Sequence, residues 1–381
     1  MQIPEYLDGV KTPAYICEEE KLISNLKLLR KVGDESGAKV LCALKGFAFS
    51  GAMPLAARYL DGATCSGLHE AKYARDWGFK LVHTYCPAYA EADIEEVASL
   101  SDHVVFNSFA QFDRFARVVR AKNKDVALRV NPEVSASPVD AYNPCGRYSR
   151  LGVTKANFKF ERTSELDGLH FHALCEESAD ALETVLKAFE ERFAPAISKV
   201  KWLNFGGGHH ITREGYDVKK LTRLLGDFSQ KYGVPVYIEP GEAVGWQCGY
   251  LVGTVLDIVE NEQKTCIIDV SAECHMPDTV LMPYRPAVRG ESPQGKFEYR
   301  FGGASCLAGD VVGVAAGEPI YRFDHEIKVG DKIIFEDQIH YTIVKNTTFN
   351  GVALPNLMMK KQGGALEMVR EFGYNNYALR N

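Results

Sequence analysis

Short apolar runs recur through the first 240 or so residues, at 39–44, 63–65, 81–85, 103–106, 126–130, 168–172, 201–205 and 235–239. Runs of this length, rich in β-branched residues and closed by Gly, Pro or polar positions, read as buried strands. Between most of them the apolar positions take helical spacing, over 51–60, 68–78, 90–99, 108–121, 178–193 and 217–232. Ser108, directly after Val104-Val105-Phe106-Asn107, is placed to cap one of these helices. Strands that alternate with helices pair in parallel through right-handed crossovers. Eight of them over about 200 residues predict a (β/α)8 barrel. An open doubly wound sheet is the alternative, and the absence of a G-x-G-x-x-G opening an early helix weakens it.

The ends of the chain have a different texture. Thr12–Cys17 reads as a strand and 18–32 as an amphipathic helix. After Gly241 the segments Tyr250–Val259, Thr265–Val270, Asp310–Ala315, Lys332–Phe335 and Tyr341–Val344 are short, β-branched and separated by Gly, Pro or Asn. They predict an all-β domain, which the early strand joins. The expected division is a barrel over 20–245 and a β domain made of 1–19 and 246–381, with helix and surface after Lys360. The fold class is thus α/β plus all-β.

Composition narrows the function. With 46% hydrophobic and 25% charged residues in 381, the chain has ample sequence for a core without metal or disulfide support. A formal net charge of -6 argues against a nucleic-acid or anionic-membrane surface and suits a cationic small substrate. No signal peptide opens the sequence and no apolar run approaches the roughly 18 residues of a membrane span. Ten cysteines without C-x-x-C or zinc spacing imply reduced thiols in a cytoplasm and no metal.

Chemistry in a (β/α)8 barrel collects at the C-terminal ends of its strands. There the sequence offers Lys45, Glu70, Arg129, His172, Gly206-Gly207-Gly208 and Glu239. In V-L-C-A-L-K-G-F (40–47) an apolar strand delivers Lys45 to the barrel mouth; burial disfavours its charge and makes a nucleophilic amine. Such an amine forms a Schiff base with an aldehyde cofactor, pyridoxal 5'-phosphate above all. The glycines would let backbone N–H groups approach a phosphate. Glu239 against the pyridine nitrogen would keep it protonated, a strong electron sink that favours loss of CO2 over racemisation. His172 would lie on the ring face. Taken singly, each has a more ordinary reading: His172 as a satisfied core histidine, Arg129 as a structural ion pair and Glu70 as a helix-surface carboxylate.

The motifs A-L-K (43–45), H-F-H (170–172), F-G-G-G (205–208), E-P-G (239–241), G-G-A-S-C-x-x-G-D (302–310) and Y-T-(x)5-T-F-N-G (341–351) stand in one order. In that order the chain resembles the fold-type III pyridoxal-phosphate decarboxylases, with their alanine-racemase-like barrel and C-terminal β-barrel or β-sandwich domain. That family includes ornithine, arginine and diaminopimelate decarboxylases. The resemblance implies a head-to-tail homodimer with shared active sites. Lys45, His172, Glu239 and Gly241 would come from one subunit and Cys306 from the partner, where it would return a proton after CO2 leaves. Tyr341 would bind the cofactor phosphate. By itself Cys306 reads as an inert thiol.

Departures from the family pattern point to the substrate. Position 242 is Glu where ornithine and diaminopimelate decarboxylases have Arg; Leu307 replaces an aspartate that follows the motif cysteine; and His172-Ala173-Leu174-Cys175 replaces H-x-G-S. Glu242 and Asp278 are the expected relocated acids, pairing with the ammonium groups of a carboxylated triamine. For Asp278 a turn role after Pro277, and for Glu242 a structural salt bridge, are the plainer readings. Arg147 and Arg150 are open to a substrate carboxylate or a subunit contact. The rival functions are decarboxylation of diaminopimelate, ornithine or another basic amino acid, racemisation, and a non-catalytic cofactor carrier or decoy.

Overall fold

The computed structural model describes residues 4–136 and 142–381. The chain divides into two compact units, one of residues 24–46 and 53–244, the other of 1–23, 47–52 and 245–381.

The second unit supplies β1 (Ala14–Glu18), and the helix α1 (Glu19–Ser36) leads into the first. The first unit is a closed parallel barrel. Its strands are β2 (Lys39–Ala43), β3 (Gly62–Cys65), β4 (Leu81–Tyr85), β5 (His103–Phe106), β6 (Asp125–Arg129), β7 (Gly168–His170), β8 (Trp202–Asn204) and β9 (Val236–Ile238). β9 returns to β2 in the register Lys39↔Tyr237 and Val40↔Ile238, which closes the ring. All eight are close to the expected runs, because a strand covered by helices outside and filled inside has two buried faces and reads as continuous apolar sequence. The connecting helices are α2 (Met53–Tyr59), α3 (Leu68–Asp76), α4 (Ile94–Leu100), α5 (Phe109–Ala121), α6 (Ala179–Ile197) and α7 (Val218–Tyr232). Ser108 caps α5, its hydroxyl accepting from Gln111 N–H at 3.2 Å. Asp217 caps α7, and Gly233 ends that helix in the left-handed conformation. Among the described residues the β6–β7 connection holds no α-helix; it includes 3-10 turns at Lys155–Asn157 and Phe160–Glu165 and the isolated bridge Val130↔Val153.

The other unit is one continuous mixed sheet in the order β13-β12-β11-β10-β1-β15-β16, with β14 also on β10. Its strands are β10 (Gly249–Asn261), β11 (Gln263–Ile268), β12 (Phe297–Gly302), β13 (Tyr321–Phe323), β14 (Lys332–Glu336), β15 (Asn356–Lys360) and β16 (Leu366–Arg370). A register shift between Val255 and Asp257 divides β10: its first half pairs with β1 and β14, its second with β11. Leu7, Val10, Ala14, Ile16, Tyr250, Val252, Ile334 and Met358 form its core.

Two expected strands do not form. Asp310–Ala315 makes only the isolated bridge Gly302↔Val311 before breaking into turns around Gly313, whose φ is +78°. Tyr341–Val344 is a turn running into a 3-10 helix, since Tyr341 has φ +20° and cannot continue a ladder. The tail after Lys360 pairs first as β16 and only then becomes the helix α8 (Tyr374–Arg380). No helix among the described residues is long and apolar enough to cross a membrane.

Candidate active site

Lys45 stands two residues beyond β2 in a turn closed by Gly46 N–H donating to Ala43 C=O at 3.0 Å. That turn is pressed against the end of β9. Ala43 N–H donates to Pro240 C=O at 3.0 Å, and a Cβ on Gly46 would come within 3.1 Å of Gly241 Cα. A glycine at each position lets the amine-bearing turn meet the turn after Glu239 backbone to backbone.

The Lys45 side chain is open to solvent at the barrel mouth. Loss of bulk water, then the Arg129 charge, push its pKa down, with Glu239, Cys175 and Glu70 pulling weakly the other way. Its Nζ lies 3.5 Å from His172 Nε2. His172 Nδ1 accepts from Gly207 N–H at 2.8 Å. Because a backbone N–H can only donate, the imidazole hydrogen is on Nε2, toward the lysine amine. Both influences on Lys45 act in the direction that favours its neutral form. In the cofactor-free protein Lys45→Met is expected to raise stability at pH 7. The folded pKa lies below the unfolded one, so the cost of burying the charge is present at neutral pH and vanishes above the unfolded value of about 10.4. Urea unfolding at pH 7 and about pH 10.5 checks it, and an equal gain at both would refute the charge origin.

Glu239 is buried at the end of β9. Asn204 Nδ2 donates to its Oε1 at 2.8 Å, while His83 Nε2 and His170 Nε2 stand 3.6 and 3.7 Å from its two oxygens. Burial alone would raise this carboxyl, but His170, whose Nε2 faces it, outweighs burial and holds it below the ordinary carboxylate range. It is an anion at neutral pH.

The three glycines are demanded by the barrel itself. A Cβ would come within 2.5 Å of Phe171 O at Gly206, 2.4 Å of Glu239 O at Gly207 and 2.2 Å of Leu174 O at Gly208. Gly206 N–H donates to Asn204 Oδ1 and Gly207 N–H to His172 Nδ1, both at 2.8 Å. Two of the three N–H groups expected to close on a phosphate thus point into the protein, and the loop's offering is a floor without side chains. Gly208→Ala, at φ +87° against immobile backbone, is expected to cost about 2–4 kcal/mol. Denaturant unfolding measures this, and an unchanged midpoint would show that the loop can take another course.

Arg129 closes β6, buried, with its guanidinium 4.6 Å from the centre of the Tyr85 ring and Nη2 donating to His172 C=O at 3.2 Å. Glu70, in the first turn of α3, accepts from Ser66 N–H at 2.6 Å, and burial raises its pKa. Glu242 follows Gly241 directly. It and Glu176 both act on Cys175, whose thiol burial pushes up to about 11, and Lys45 acts on the same thiol. Glu242 and Lys45 therefore share one end of the barrel. Arg150 C=O accepts from Asn107 Nδ2 at 2.8 Å, and the Arg147 guanidinium packs on its neighbour Tyr148.

The remaining expected residues belong to the sheet unit. Cys306 is exposed, its N–H donating to Asn350 Oδ1 at 2.6 Å. Asp310 anchors the same loop, accepting from Ser271 Oγ at 2.9 Å and Ser305 Oγ at 2.5 Å. Asp278 pairs with Lys345, whose ammonium also lies over the Tyr341 ring at 5.4 Å. Asp278 thus already has a cationic partner. No group of His, Cys, Asp or Glu among the described residues is disposed to hold a metal ion.

Sequence reasoning missed Asn204, His83, His170 and His103. Each is a lone polar residue within an apolar strand run, and that position was the available signal: in a closed barrel it faces either the packed interior or the helix layer, and both are dry.

A parallel barrel that presents a lysine of lowered pKa and a buried carboxylate at one end, joined in sequence to a β-sheet unit, defines a class of cofactor enzyme. The chain belongs to the pyridoxal-dependent decarboxylases: the family described as pyridoxal-dependent decarboxylase, C-terminal sheet domain, matches residues 14–338. It is 54% identical to the carboxynorspermidine/carboxyspermidine decarboxylase of Campylobacter jejuni, over 99% of this chain and 100% of that one. A crystal structure of carboxynorspermidine decarboxylase from Campylobacter jejuni, complexed with norspermidine, superimposes with a TM-score of 0.91 at 54% identity, covering 98% of this chain and 100% of that one. The carboxyaminopropylagmatine decarboxylase of Synechocystis is 40% identical over 98% of this chain and 96% of its own. The cofactor is pyridoxal 5'-phosphate, and the site fits it: an amine whose pKa is pushed down, an anionic acid and a floor that any Cβ would fill.

Proposed function

We propose that this chain removes the α-carboxylate of carboxynorspermidine or carboxyspermidine, giving norspermidine or spermidine in cytoplasmic polyamine biosynthesis. The observation that carries this reading is the 54% identity, over the full length of both chains, to an enzyme named for that reaction. Pyridoxal phosphate, when bound, accepts the electron pair left behind as the carboxylate departs as CO2. Lys45 would carry the cofactor until the substrate amine takes its place. Glu239 would keep a proton on the ring nitrogen and His172 would cover a ring face. Gly206, Gly207, Gly208 and Gly241 would line the phosphate and Tyr341 would bind it, with Arg129 and Glu70 as the further cofactor contacts. The working unit is a homodimer, in which Cys306 of the partner subunit donates a proton to the carbon that lost CO2.

Glu242 and Asp278 hold the cationic tail of the substrate. Glu242→Gln is expected to raise KM about tenfold or more with cofactor affinity unchanged, since an ammonium group would lose its counter-charge. Asp278→Asn should do less, because Lys345 already neutralises that carboxylate. Unchanged kinetics in both variants would remove the assignment.

The Synechocystis relative supports a second reading, a substrate with a guanidinium tail. CO2 release from carboxynorspermidine, carboxyspermidine, carboxyaminopropylagmatine, diaminopimelate, ornithine and arginine decides between them. Fastest release from a carboxylated triamine is expected. Fastest release from diaminopimelate or ornithine would overturn the substrate class, and a borohydride-sensitive visible band without release from any compound would leave a carrier.

A further inference from the structure

The barrel interior behind Glu239 is not apolar. His83 of β4, His103 of β5, His170 of β7 and Asn204 of β8 are all buried there. The His83 ring stands edge-on to the His103, His170 and Trp202 rings, and His103 stacks on Trp202 at 4.5 Å between centroids. Three imidazoles and an amide in a barrel core carry a desolvation cost unless their polar atoms are matched.

The matching has a direction, fixed from one end. Gly206 N–H can only donate, so the Asn204 atom 2.8 Å from it is the amide oxygen. The amide nitrogen, with two hydrogens, therefore faces Glu239 Oε1 at 2.8 Å and His83 Nε2 at 3.2 Å. His83 Nε2 must accept, which places the ring hydrogen on Nδ1. That atom lies 3.3 Å from His103 Nδ1, which accepts in turn, so His103 carries its hydrogen on Nε2. A proton on His83 Nε2 would set two donors head to head with Asn204. Both nitrogens of His170, by contrast, lack a hydrogen-bond partner among the described residues, Glu239 standing 3.7 Å away, and the relay does not run through it.

We propose that His83 and His103 are positioning residues: as neutral imidazoles of fixed tautomer they orient the Asn204 amide as a donor to Glu239 and leave that carboxylate anionic toward the cofactor's ring nitrogen. This rests on the reading that Glu239 faces that nitrogen. Burial holds both imidazoles below their ordinary range. The charged and titratable groups facing His83 are Glu239, His103 and His170; His83 and Tyr237 face His103, and the charges of Asp125, Asp102, Asp167 and Lys124 act on it.

The test uses full-length holoenzyme labelled with 15N-histidine, its ring nitrogens assigned through His83→Gln and His103→Gln. His83 is expected as the Nδ1–H form and His103 as the Nε2–H form, unchanged from about pH 5.5 to 8.5, across which a solvated imidazole titrates. His83→Phe keeps the ring volume and gives Asn204 no acceptor. It should lower kcat about tenfold at unchanged KM and shift the pH titration of the cofactor's visible band, through one misdirected charged hydrogen bond. His83→Gln accepts from Asn204 and donates to His103, and should restore both. A charged or reversed tautomer at either ring, or a wild-type rate and band in His83→Phe, would overturn the proposal. Glu239→Gln with wild-type rate and band would instead overturn the reading of Glu239, because the tautomers are measured without reference to it.

Discussion

Replacing Glu239 by glutamine is expected to slow CO2 release by about a hundredfold or more, because it removes a preorganised charge from the point where the reaction needs it. Glu239 is an anion held in place by Asn204 Nδ2 at 2.8 Å, in surroundings that exclude water. The substituted amide has nearly the same shape and keeps an oxygen for Asn204, so the barrel should fold. What it lacks is negative charge to keep a proton on the ring nitrogen. Without that proton the electron sink weakens, and decarboxylation suffers more than proton exchange at the α-carbon, which draws less on the sink. The visible band of the bound cofactor should shift while the cofactor remains attached through Lys45. A variant with unchanged rate and spectrum would mean that the ring nitrogen faces another group. A variant that loses the cofactor altogether would mean that Glu239 serves binding rather than chemistry.

The barrel was legible because burial on both faces leaves a plain apolar signature, so V-L-C-A and H-V-V-F betray their strands without any partner in view. The same property hid the histidine network. Within a strand dry on both sides, a single His83 or His103 gives no sign of which side it faces, and only closure of the ring brings residues 83, 103, 170, 204 and 239 together. Lys45, the glycines and Glu239 were accessible because they sit at strand ends, where an apolar run stops on a residue with chemistry. The sheet unit was read less well. In β12 the alternation F-E-Y-R-F offers a usable signal, while the three residues of β13 offer none. The expected strand at Tyr341–Val344 failed because β-branched composition says nothing of the φ of +20° at its first residue. The glycine run shows a further limit. Its spacing spoke of phosphate, yet two of its N–H groups orient His172 and Asn204 instead.

Lys45→Ala is expected to lower turnover by about a thousandfold or more and to abolish the visible band that borohydride reduces, since the amine that carries the cofactor is gone. His172 Nε2 would then lose its neighbour at 3.5 Å, but His172 Nδ1 would still be held by Gly207, so the pocket should keep its form. Cys306→Ala should fail differently. Its cofactor should bind and colour normally while the product-forming proton transfer slows or goes astray, because the thiol is exposed and the loop that carries it is fixed by Asn350 and Asp310 rather than by the sulfur. The pair of variants tests the shared site directly. If Cys306 acts across the subunit boundary, mixing two inactive homodimers and allowing exchange creates heterodimers with one intact site and one doubly damaged site. Activity should rise toward about a quarter of wild type, as random pairing within a two-fold dimer requires. If both residues serve the same subunit's site, every heterodimer retains two damaged sites and activity stays at the floor however long exchange proceeds. The exchange itself is followed by a mass tag on one partner, so silence from the assay cannot be mistaken for a failure to mix.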